Sequence, residues 1–258
     1  MEVIKPIIRV GNSAGVILPR EWLNGEAKVT LIKRPRDIKQ DVLDILWDEL
    51  SSITGLYLVG SYARGEQNEK SDIDILGVTE DTNRKIKKGK YDIVLISYET
   101  LEKSLKDNIL PLLPMLREAS PITNKNLLNR YKDYPITFNN LQWHIDTTAS
   151  ALKIIKKSIE LAKEKDEKVS DNVIYSLVLR LREAYIVDCL IKNKVANNKE
   201  LRRLIIKLAG SINAYESYHR SKLRVTTQRK VDVGEAESLQ IYLSNIIDEQ
   251  KKWIKRKG

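Results

Sequence analysis

Cysteine and histidine are scarce in this chain, whose 258 residues include one cysteine and two histidines. Cys189 has no second thiol to pair with, which excludes an intrachain disulfide and a zinc site built from several cysteines. It lies in an apolar helical pattern and is predicted to be a buried structural thiol. With only His144 and His219 available, a bound metal must be held by carboxylates, and oxygen ligands suit Mg²⁺. Both shortages therefore favour phosphate chemistry.

Long apolar runs are also missing, and the most apolar stretch, residues 109–116, is interrupted by Pro111 and Pro114. A helix that crosses a bilayer needs about 20 apolar residues in succession. The chain opens Met-Glu-Val-Ile-Lys, without the basic segment followed by an apolar one that marks a secretory signal. We therefore expect a cytoplasmic protein that has no membrane partner.

Basic residues outnumber acidic ones by 45 to 35, which gives a formal net charge of +10. Such an excess favours polyanionic partners, among them nucleic acids, nucleotides and acidic proteins. A lysine-rich surface also serves solubility and thermal stability without any partner. The charge alone leaves both interpretations open.

The order of the apolar patterns indicates an α+β protein in three parts. Residues 1–36 form a small β-rich segment that ends in a short linker, residues 34–36. Residues 37–135 alternate helical and strand patterns, which predicts a mixed sheet carrying helices. Residues 136–258 contain long amphipathic stretches with almost no Gly or Pro, which predicts a bundle of four or five helices.

The bounds of the individual elements follow from the same patterns. Strands are expected in the first part over residues 3–10, 15–18 and 28–32, with a short helix after Pro19. Strands are expected in the second part over residues 56–59, 73–78 and 91–96. Helices are expected in the third part over residues 141–163, 173–192, 201–212 and 236–254.

Residues 60–76 carry the clearest chemical signal in the sequence. Side chains two apart in a strand share a face, so Asp72 and Asp74 project together while the intervening isoleucines enter the core. Two adjacent carboxylates repel each other unless a cation lies between them. A third acid, Asp92, begins another apolar strand and would join the pair if the two strands are neighbours. Three carboxylates there could hold two Mg²⁺ ions.

Gly60 and Ser61 stand where an apolar strand ends and a helix-like stretch begins. Free backbone N–H groups and the Ser61 hydroxyl could bind a phosphate at such a junction. Glycine at position 60 lets the backbone approach the anion closely. Arg64 and Lys70, a few residues further on, could add cationic contacts to the same phosphate.

The Gly-Ser pair, the Asp-x-Asp pair ten residues later and the acid that leads an apolar strand together resemble the nucleotidyltransferases of the DNA polymerase β superfamily. The resemblance covers roughly residues 38–135, including the run Glu-Ala-Ser-Pro-Ile at 118–122. It implies that Gly60 and Ser61 bind a nucleoside triphosphate and that Asp72, Asp74 and Asp92 bind metal ions. Two-metal phosphoryl transfer would follow, with Asp92 as the general base.

The run from Ile8 to Leu23 resembles the swapped-hairpin DNA-binding segments of the AbrB/MazE class. In that class two copies interleave into a dimer that places basic residues on DNA phosphates. The resemblance implies a homodimer that contacts DNA through Arg9, Arg20 and Lys28. A segment that only dimerises the enzyme is the alternative. The remaining basic residues of the segment near its end are Lys33, Arg34 and Arg36.

The helical part is similar, more weakly, to the bundles of kanamycin nucleotidyltransferase and of minimal nucleotidyltransferases paired with HEPN proteins, which shape an acceptor site. A polar cluster in one of its helices is better explained as a structural ion-pair face. Its members are Arg180, Arg182, Glu183 and Tyr185. We expect His144 to be packed or half-exposed, His219 to have no special role, and the basic end, residues 251–257, to be a frayed helix.

The leading hypothesis is an enzyme that transfers AMP from ATP, or another NMP from its NTP, to a hydroxyl group. The two resemblances together favour an antitoxin that modifies a HEPN-type toxin. A DNA-binding transcriptional regulator with a nucleotide-sensing domain is one alternative, although a sensor does not need three metal ligands. An antibiotic nucleotidyltransferase is another, although the N-terminal segment would then be superfluous.

Overall fold

The computed structural model describes residues 2–32, 37–222 and 231–256. The expected linker, residues 34–36, and Lys33 lie outside the described residues. The chain divides into two units, Met1–Val42 and Leu43–Gly258. In the described ranges we find no helix with both the length and the apolar character needed to cross a membrane.

The first unit contains a small antiparallel hairpin of strands β1 (Ile8–Val10) and β2 (Ser13–Gly15), followed by a 3-10 turn at Arg20–Trp22. The hairpin turns at Gly11, whose φ of +57° favours glycine. The strand expected over residues 28–32 is wrong, because no strand forms there. None of the residues 2–32 is buried in this single chain. The apolar residues at 28–32 therefore have neither a neighbouring strand to pair with nor a core to pack against.

The second unit is built on a five-stranded mixed sheet, and a mixed sheet was predicted from the sequence. Its strands are β3 (Ile53–Val59), β4 (Ile73–Thr79), β5 (Arg84–Lys88), β6 (Tyr91–Ser97) and β7 (Ser120–Pro121). They lie in the order β5-β6-β4-β3-β7, in which β4 and β6 are parallel and the other neighbouring pairs are antiparallel.

The first half of the chain also carries five helices between or beside these strands. They are α1 (Ile38–Ile45), α2 (Gly60–Ala63), α3 (Tyr98–Asp107), α4 (Leu113–Glu118) and α5 (Lys125–Lys132). The helical part follows with α6 (Phe138–Glu164), α7 (Asp171–Ile191), α8 (Asn198–Ala209), α9 (Asn213–Lys222) and α10 (Val233–Lys255). The predicted α+β class is confirmed.

The predicted bundle helices begin two or three residues late, and one of them also runs three residues past its observed end. The helix expected over residues 201–212 ends at Ala209, because Gly210 adopts a left-handed conformation (φ +75°) that caps α8. A separate helix, α9, follows. The amphipathic pattern of the sequence continues through Gly210 and does not show this helix end.

The buried core of the second unit forms two clusters. One joins a sheet face to helices α3–α6 and to parts of α7 and α10, with Tyr57, Leu76, Leu141 and Val187 among its members. The other lies within the bundle. The basic end, expected to be a frayed helix over residues 251–257, is a formed helix as far as Lys255, where Ile254 is buried in the first cluster; Lys257 lies outside the described residues. Cys189 is buried, as predicted.

His144 on α6 is fully buried, rather than half-exposed. Its Nε2 lies 3.3 Å from Gln250 Oε1, and Gln250 Nε2 donates to the Ala184 carbonyl at 2.8 Å. Burial lowers the pKa of His144 to about 4, assisted by the charge of Arg180 and opposed by the bond to Gln250. This histidine is therefore neutral in the folded protein at neutral pH.

We expect His144 to make the fold acid-sensitive between its unfolded and folded pKa values. The unfolded chain binds the proton near pH 6.5 and the folded chain only near pH 4, so stability is retained above the first value and falls as pH drops towards the second. The loss is about 2 to 3 kcal/mol between about pH 7 and pH 4.5. Urea unfolding at both pH values should show a smaller loss for His144→Gln, and an identical loss would contradict this role.

Candidate active site

Two of the predicted acids face each other across neighbouring parallel strands. Asp74 on β4 and Asp92 on β6 are in register, so their side chains project from the same face of the sheet. Asp72 lies just before β4 and is exposed, whereas Asp74 and Asp92 are half-buried. Ile73 and Ile75 are buried, as the period of two predicted. The parallel pairing of β4 with β6 is what unites acids that are 18 residues apart.

The electrostatics of this pair favour a positive charge between the carboxylates. Burial raises the pKa of Asp74, and the neighbouring charges of Asp92, Asp72 and Glu118 raise it further, while Arg64 opposes them. A carboxylate whose pKa is raised by other carboxylates is stabilised by any cation that enters the site. A cation between the carboxylates would therefore relieve the repulsion around Asp74.

The donor set fits a divalent cation held by oxygen. Asp92 Oδ1 is buried and accepts no hydrogen bond from any described residue. Lys85 Nζ lies 3.4 Å from this oxygen, an ion pair without hydrogen-bond geometry. Within the described ranges, no group of three His, Cys, Asp or Glu side chains already converges as a metal site. Asp74 and Asp92 thus form a pair of carboxylates that could bind a metal ion, and Asp72 is exposed just before β4.

Gly60 forms a tight turn against this pair. Strand β3 ends at Val59 and helix α2 begins at Gly60, so the Gly-Ser pair lies at a strand-to-helix junction as predicted. Gly60 has a φ of +70°, and a Cβ there would lie 2.3 Å from Asp74 Oδ2. Any larger residue would have to displace the Asp74 carboxylate. Glycine is required here by both its backbone conformation and the close approach of Asp74.

Glu118 holds the same turn from the other side. Its Oε1 accepts a hydrogen bond from the Gly60 N–H at 2.7 Å, and its Oε2 accepts one from Arg64 Nη1 at 2.6 Å. Arg64 Nε also donates to Glu66 Oε2 at 2.8 Å. Glu118 was not predicted as a functional residue, although the run 118–122 belongs to the resemblance. Its role depends on a contact between residues 58 apart in the chain.

The two cations predicted to bind phosphate differ in their surroundings. Arg64 is only 17% exposed and is paired with both Glu66 and Glu118. Lys70 is exposed in the loop between α2 and β4. The structure therefore brings Arg64 to the Gly60 turn and leaves Lys70 on the surface of the loop.

A cavity of about 430 Å³ opens beside the Gly60 turn, between the loop after α3, helix α4 and helices α6–α8. Arg64 and Glu118 line it, and so do Arg182 and Tyr185 of α7. Arg182 makes no ion pair or hydrogen bond with any residue in the described ranges. Arg180 does form the structural ion pair with Glu183 that we expected, at 2.9 Å.

The polar cluster of α7 forms the expected ion pair and also lines the cavity, a position that the resemblance to bundles shaping an acceptor site had left open. Besides that pair, Arg182, Glu183 and Tyr185 line the cavity. Trp143 of α6 also lines it and is 52% exposed. An exposed tryptophan in a helix was the signal available in the sequence for this wall.

The predicted DNA-contacting residues lie in the first unit. Arg9, Arg20 and Lys28 are all exposed. Arg9 Nε donates to the Gly11 carbonyl at 3.0 Å, so this side chain lies along the hairpin turn.

Residues 41–134 match the family model described as "Nucleotidyltransferase domain". This stretch contains the Gly60 turn, the Asp74–Asp92 pair and Glu118. The chain therefore carries a nucleotidyltransferase domain, and the predicted enzyme class is confirmed. No curated protein matches the chain.

Two solved structures are similar to most of the chain at low identity. A nucleotidyltransferase-like protein from Exiguobacterium sibiricum 255-15 has 12% identity and a TM-score of 0.40, over 83% of this chain and 76% of that one. Spectinomycin adenyltransferase AAD(9) from Enterococcus faecialis, with ATP and spectinomycin, has 14% identity and a TM-score of 0.41, over 81% of this chain and 97% of that one.

Proposed function

We propose that this enzyme transfers a nucleoside monophosphate, AMP from ATP in the first instance, to a hydroxyl group of an acceptor. The observation that carries the proposal is the register of Asp74 with Asp92 beside the Gly60 turn, inside a nucleotidyltransferase domain. Paired carboxylates next to a phosphate-binding turn are the parts that phosphoryl transfer needs.

The residues of the turn and the acid pair take separate parts in the reaction. Asp72, Asp74 and Asp92 would hold Mg²⁺, which supplies positive charge to the triphosphate when it is bound. The backbone N–H of Ser61 and its hydroxyl bind and orient the phosphates. Asp92 accepts the proton of the acceptor hydroxyl, since one of its oxygens has no hydrogen-bond donor among the described residues.

We assign the cavity beside the turn to the nucleotide. Its volume of about 430 Å³ is in the range typical of small-molecule sites. Two of its lining residues, Arg64 and Glu118, belong to the hydrogen-bond network of Gly60. Arg182 also lines the cavity, without an acidic partner in the described part of the chain, and a triphosphate is the anion that would pair with it. Lys70 would add a contact from the loop.

Ser61→Ala tests the phosphate-binding part of the proposal. Removing the hydroxyl deletes one hydrogen bond to a charged group, so nucleotide binding should weaken by about 1 to 2 kcal/mol with the fold unchanged. Isothermal titration with ATP measures the change, and Ser71→Ala, in the loop before β4, is the matched control. Equal affinity of the Ser61 variant and the wild type would mean that this serine only forms the turn.

The class of acceptor is identified by the molecule that becomes labelled. The protein is incubated with each labelled NTP and a lysate of its source cells, and pyrophosphate release is followed in parallel. A labelled protein band favours the antitoxin hypothesis with a HEPN-type toxin as partner. A labelled small molecule favours the antibiotic hypothesis. Tight ATP binding without pyrophosphate release for any acceptor favours the nucleotide-sensing regulator and contradicts an enzyme.

The N-terminal segment supports a second proposal, that two copies of the chain dimerise through it and contact DNA. Large apolar side chains are exposed throughout the segment, and exposed apolar surface of this extent marks an interaction site. Ile4 is 79% exposed and Ile32 is 72% exposed. The others are Val3, Ile7, Ile8, Val10, Ile17, Leu23, Val29 and Leu31. A second copy would cover them.

DNA binding by this segment should depend steeply on salt. Residues 1–36 carry seven Lys and Arg against three Glu, a net charge of +4 per chain. Replacing Arg9 and Arg20 with Ala should flatten the plot of log K against log [salt] by about 0.9 for each phosphate that is no longer neutralised. The charge-matched control replaces Lys103 and Lys106, exposed on α3, with Ala. Equal slopes in the two variants would leave the segment with a purely structural role.

A further inference from the structure

Glu118 contacts both ends of α2, the short helix that follows strand β3. Its Oε1 accepts a hydrogen bond from the N–H of Gly60, the first residue of α2, and its Oε2 accepts one from Arg64 Nη1, whose residue caps the other end. The two distances are 2.7 and 2.6 Å, and the Glu118 side chain is only 10% exposed. One buried carboxylate therefore spans the whole of α2.

Helix α2 has little else to hold its first residue in place. It comprises only the four residues Gly60–Ala63, and an isolated helix of that length is unstable in water. The N–H of Gly60 has no partner within the helix, and the side chain of the N-cap residue, Val59, does not accept it. Glu118 supplies the missing acceptor.

Arg64 is fixed at the other end of α2. Its Nε donates to Glu66 Oε2 at 2.8 Å, and Asn198 Nδ2 of α8 lies 3.3 Å from the same oxygen as a second donor. Burial acts to lower the pKa of Arg64, but the bonds to Glu66 and Glu118 outweigh burial and raise it. One guanidinium thus faces two carboxylates, so its positive charge is paired within the protein.

We propose that Glu118 is a positioning residue for nucleotide transfer, which acts through Gly60 and Arg64. It fixes the orientation of α2, so that Gly60 stays against Asp74 and Ser61 stays directed to the phosphates. This inference rests on the proposed function, which gives Asp74 and Ser61 their parts in the reaction.

The competing role for Glu118 is that of a stand-in for a phosphate. Its two oxygens accept from a backbone N–H and a guanidinium, donors that also bind phosphates, and it lines the cavity assigned to the nucleotide. In that role ATP displaces the Glu118 side chain when it binds. Glu118 would then restrain the empty enzyme and take no part in the reaction.

The backbone around Glu118 favours the fixed role. Leu116 and Ala119 on either side of it are buried. Ser120 pairs with Leu58, near the end of β3. The carboxylate is therefore anchored beside the strand that leads into α2. Displacing it would leave a charge that is 10% exposed without either of its partners, which is strongly unfavourable.

The first test follows the Gly60 N–H itself and needs neither nucleotide nor acceptor. Deuterium exchange is measured by NMR on the full chain labelled with nitrogen-15 glycine, because 11 glycines give a simple spectrum. The signal missing from Gly60→Ala identifies Gly60. In Glu118→Ala this N–H should exchange about tenfold faster or more, the effect of losing one hydrogen bond to a charged group. The Gly210 N–H, which caps α8, is the internal reference. Unchanged exchange at Gly60 would overturn the proposal.

Two further variants separate the position of Glu118 from the general loss of an ion pair. Glu118→Gln keeps the shape of the side chain and an oxygen that can accept the Gly60 N–H, so it tests the proposal even where Glu118→Ala fails to fold. Glu49→Gln is the matched control, because Glu49 also pairs with an arginine, Arg84, at 2.7 Å. Glu49 precedes the start of β3, whereas α2 follows its end.

The second test measures transfer of label from ATP into a lysate of the source cells, and ATP affinity by calorimetry. Glu118→Ala should lower the rate at saturating ATP by about a hundredfold, the cost of a displacement of about 1 Å at a reacting centre. Glu118→Gln should recover about tenfold of that loss by restoring one hydrogen bond. ATP affinity should not rise in either variant, and Glu49→Gln should transfer label as the wild type does.

Each competing role gives a different result. Tighter ATP binding in Glu118→Ala would overturn the proposal, because it would show that ATP displaces this carboxylate. Equal transfer rates in Glu118→Gln, Glu118→Ala and Glu49→Gln would overturn it by leaving Glu118 with no part in the reaction. A wild type that protects the Gly60 N–H but neither binds ATP nor transfers label would instead refute the proposed function.

Discussion

Replacing Asp74 with Asn is expected to abolish nucleotide transfer while the protein stays folded. The change removes one negative charge and one carboxylate oxygen from a pair held in register, so the site holds a divalent cation less strongly and in a changed position. Loss of a residue at the reacting centre typically costs roughly three orders of magnitude in kcat or more. Pyrophosphate release under single-turnover conditions measures the loss. Asp72→Asn should act in the same direction.

The stability of the Asp74→Asn protein distinguishes a catalytic from a structural carboxylate. Burial and the charges of Asp92, Asp72 and Glu118 already penalise the ionised form of Asp74, so removing its charge should leave the metal-free fold as stable or slightly more stable. Asp81→Asn, an equal charge change in the exposed turn after β4, is the control and should change neither activity nor stability. Turnover that persists in the Asp72→Asn, Asp74→Asn double variant would refute the role of the pair.

The positions of the acids along β4 could be predicted from the sequence, because the alternation of side chains in a strand is determined by residues close together in the chain. The placement of Asp92 beside Asp74 needed one further condition, that two strands 18 residues apart in sequence pair with each other. The sequence left that pairing as a condition. The structure shows the pairing, and the metal-binding role assigned to the acids stays a prediction.

The contacts that complete the site could not be derived from the sequence. Glu118 reaches Gly60 across 58 residues, and Arg182 reaches the cavity from a helix of the bundle. Both depend on tertiary packing, whereas the sequence pattern of α7 showed only ion-pair spacing. Strand β5 also lies beside Asp92 through its register with β6, a contact that the sequence does not show.

In the N-terminal segment, the sequence predicted a strand that the structure does not form. Its first two strands were expected over residues 3–10 and 15–18, and the structure forms them as a shorter hairpin, Ile8–Val10 and Ser13–Gly15, that turns at Gly11. The strand at residues 28–32 was not formed, because a strand needs a partner and this single chain offers none there. Local propensity is sufficient for a two-stranded hairpin but not for a strand that has no neighbour to pair with.

Gly60→Ala is expected to damage transfer nearly as much as loss of Asp74, by a route that leaves every carboxylate in place. Alanine must adopt a φ of +70° and its Cβ must push the Asp74 carboxylate aside from 2.3 Å. Gly65→Ala is the matched control, since Gly65 has a φ of +68° and no atom within 4 Å of the added Cβ. Both variants should lose about 1 to 2 kcal/mol in urea unfolding from the left-handed backbone alone. Only Gly60→Ala should also lose about a hundredfold or more in kcat, because a displacement of about 1 Å at a reacting centre costs on that order. If the two alanine variants turn over equally, the close approach of Gly60 to Asp74 plays no part in catalysis.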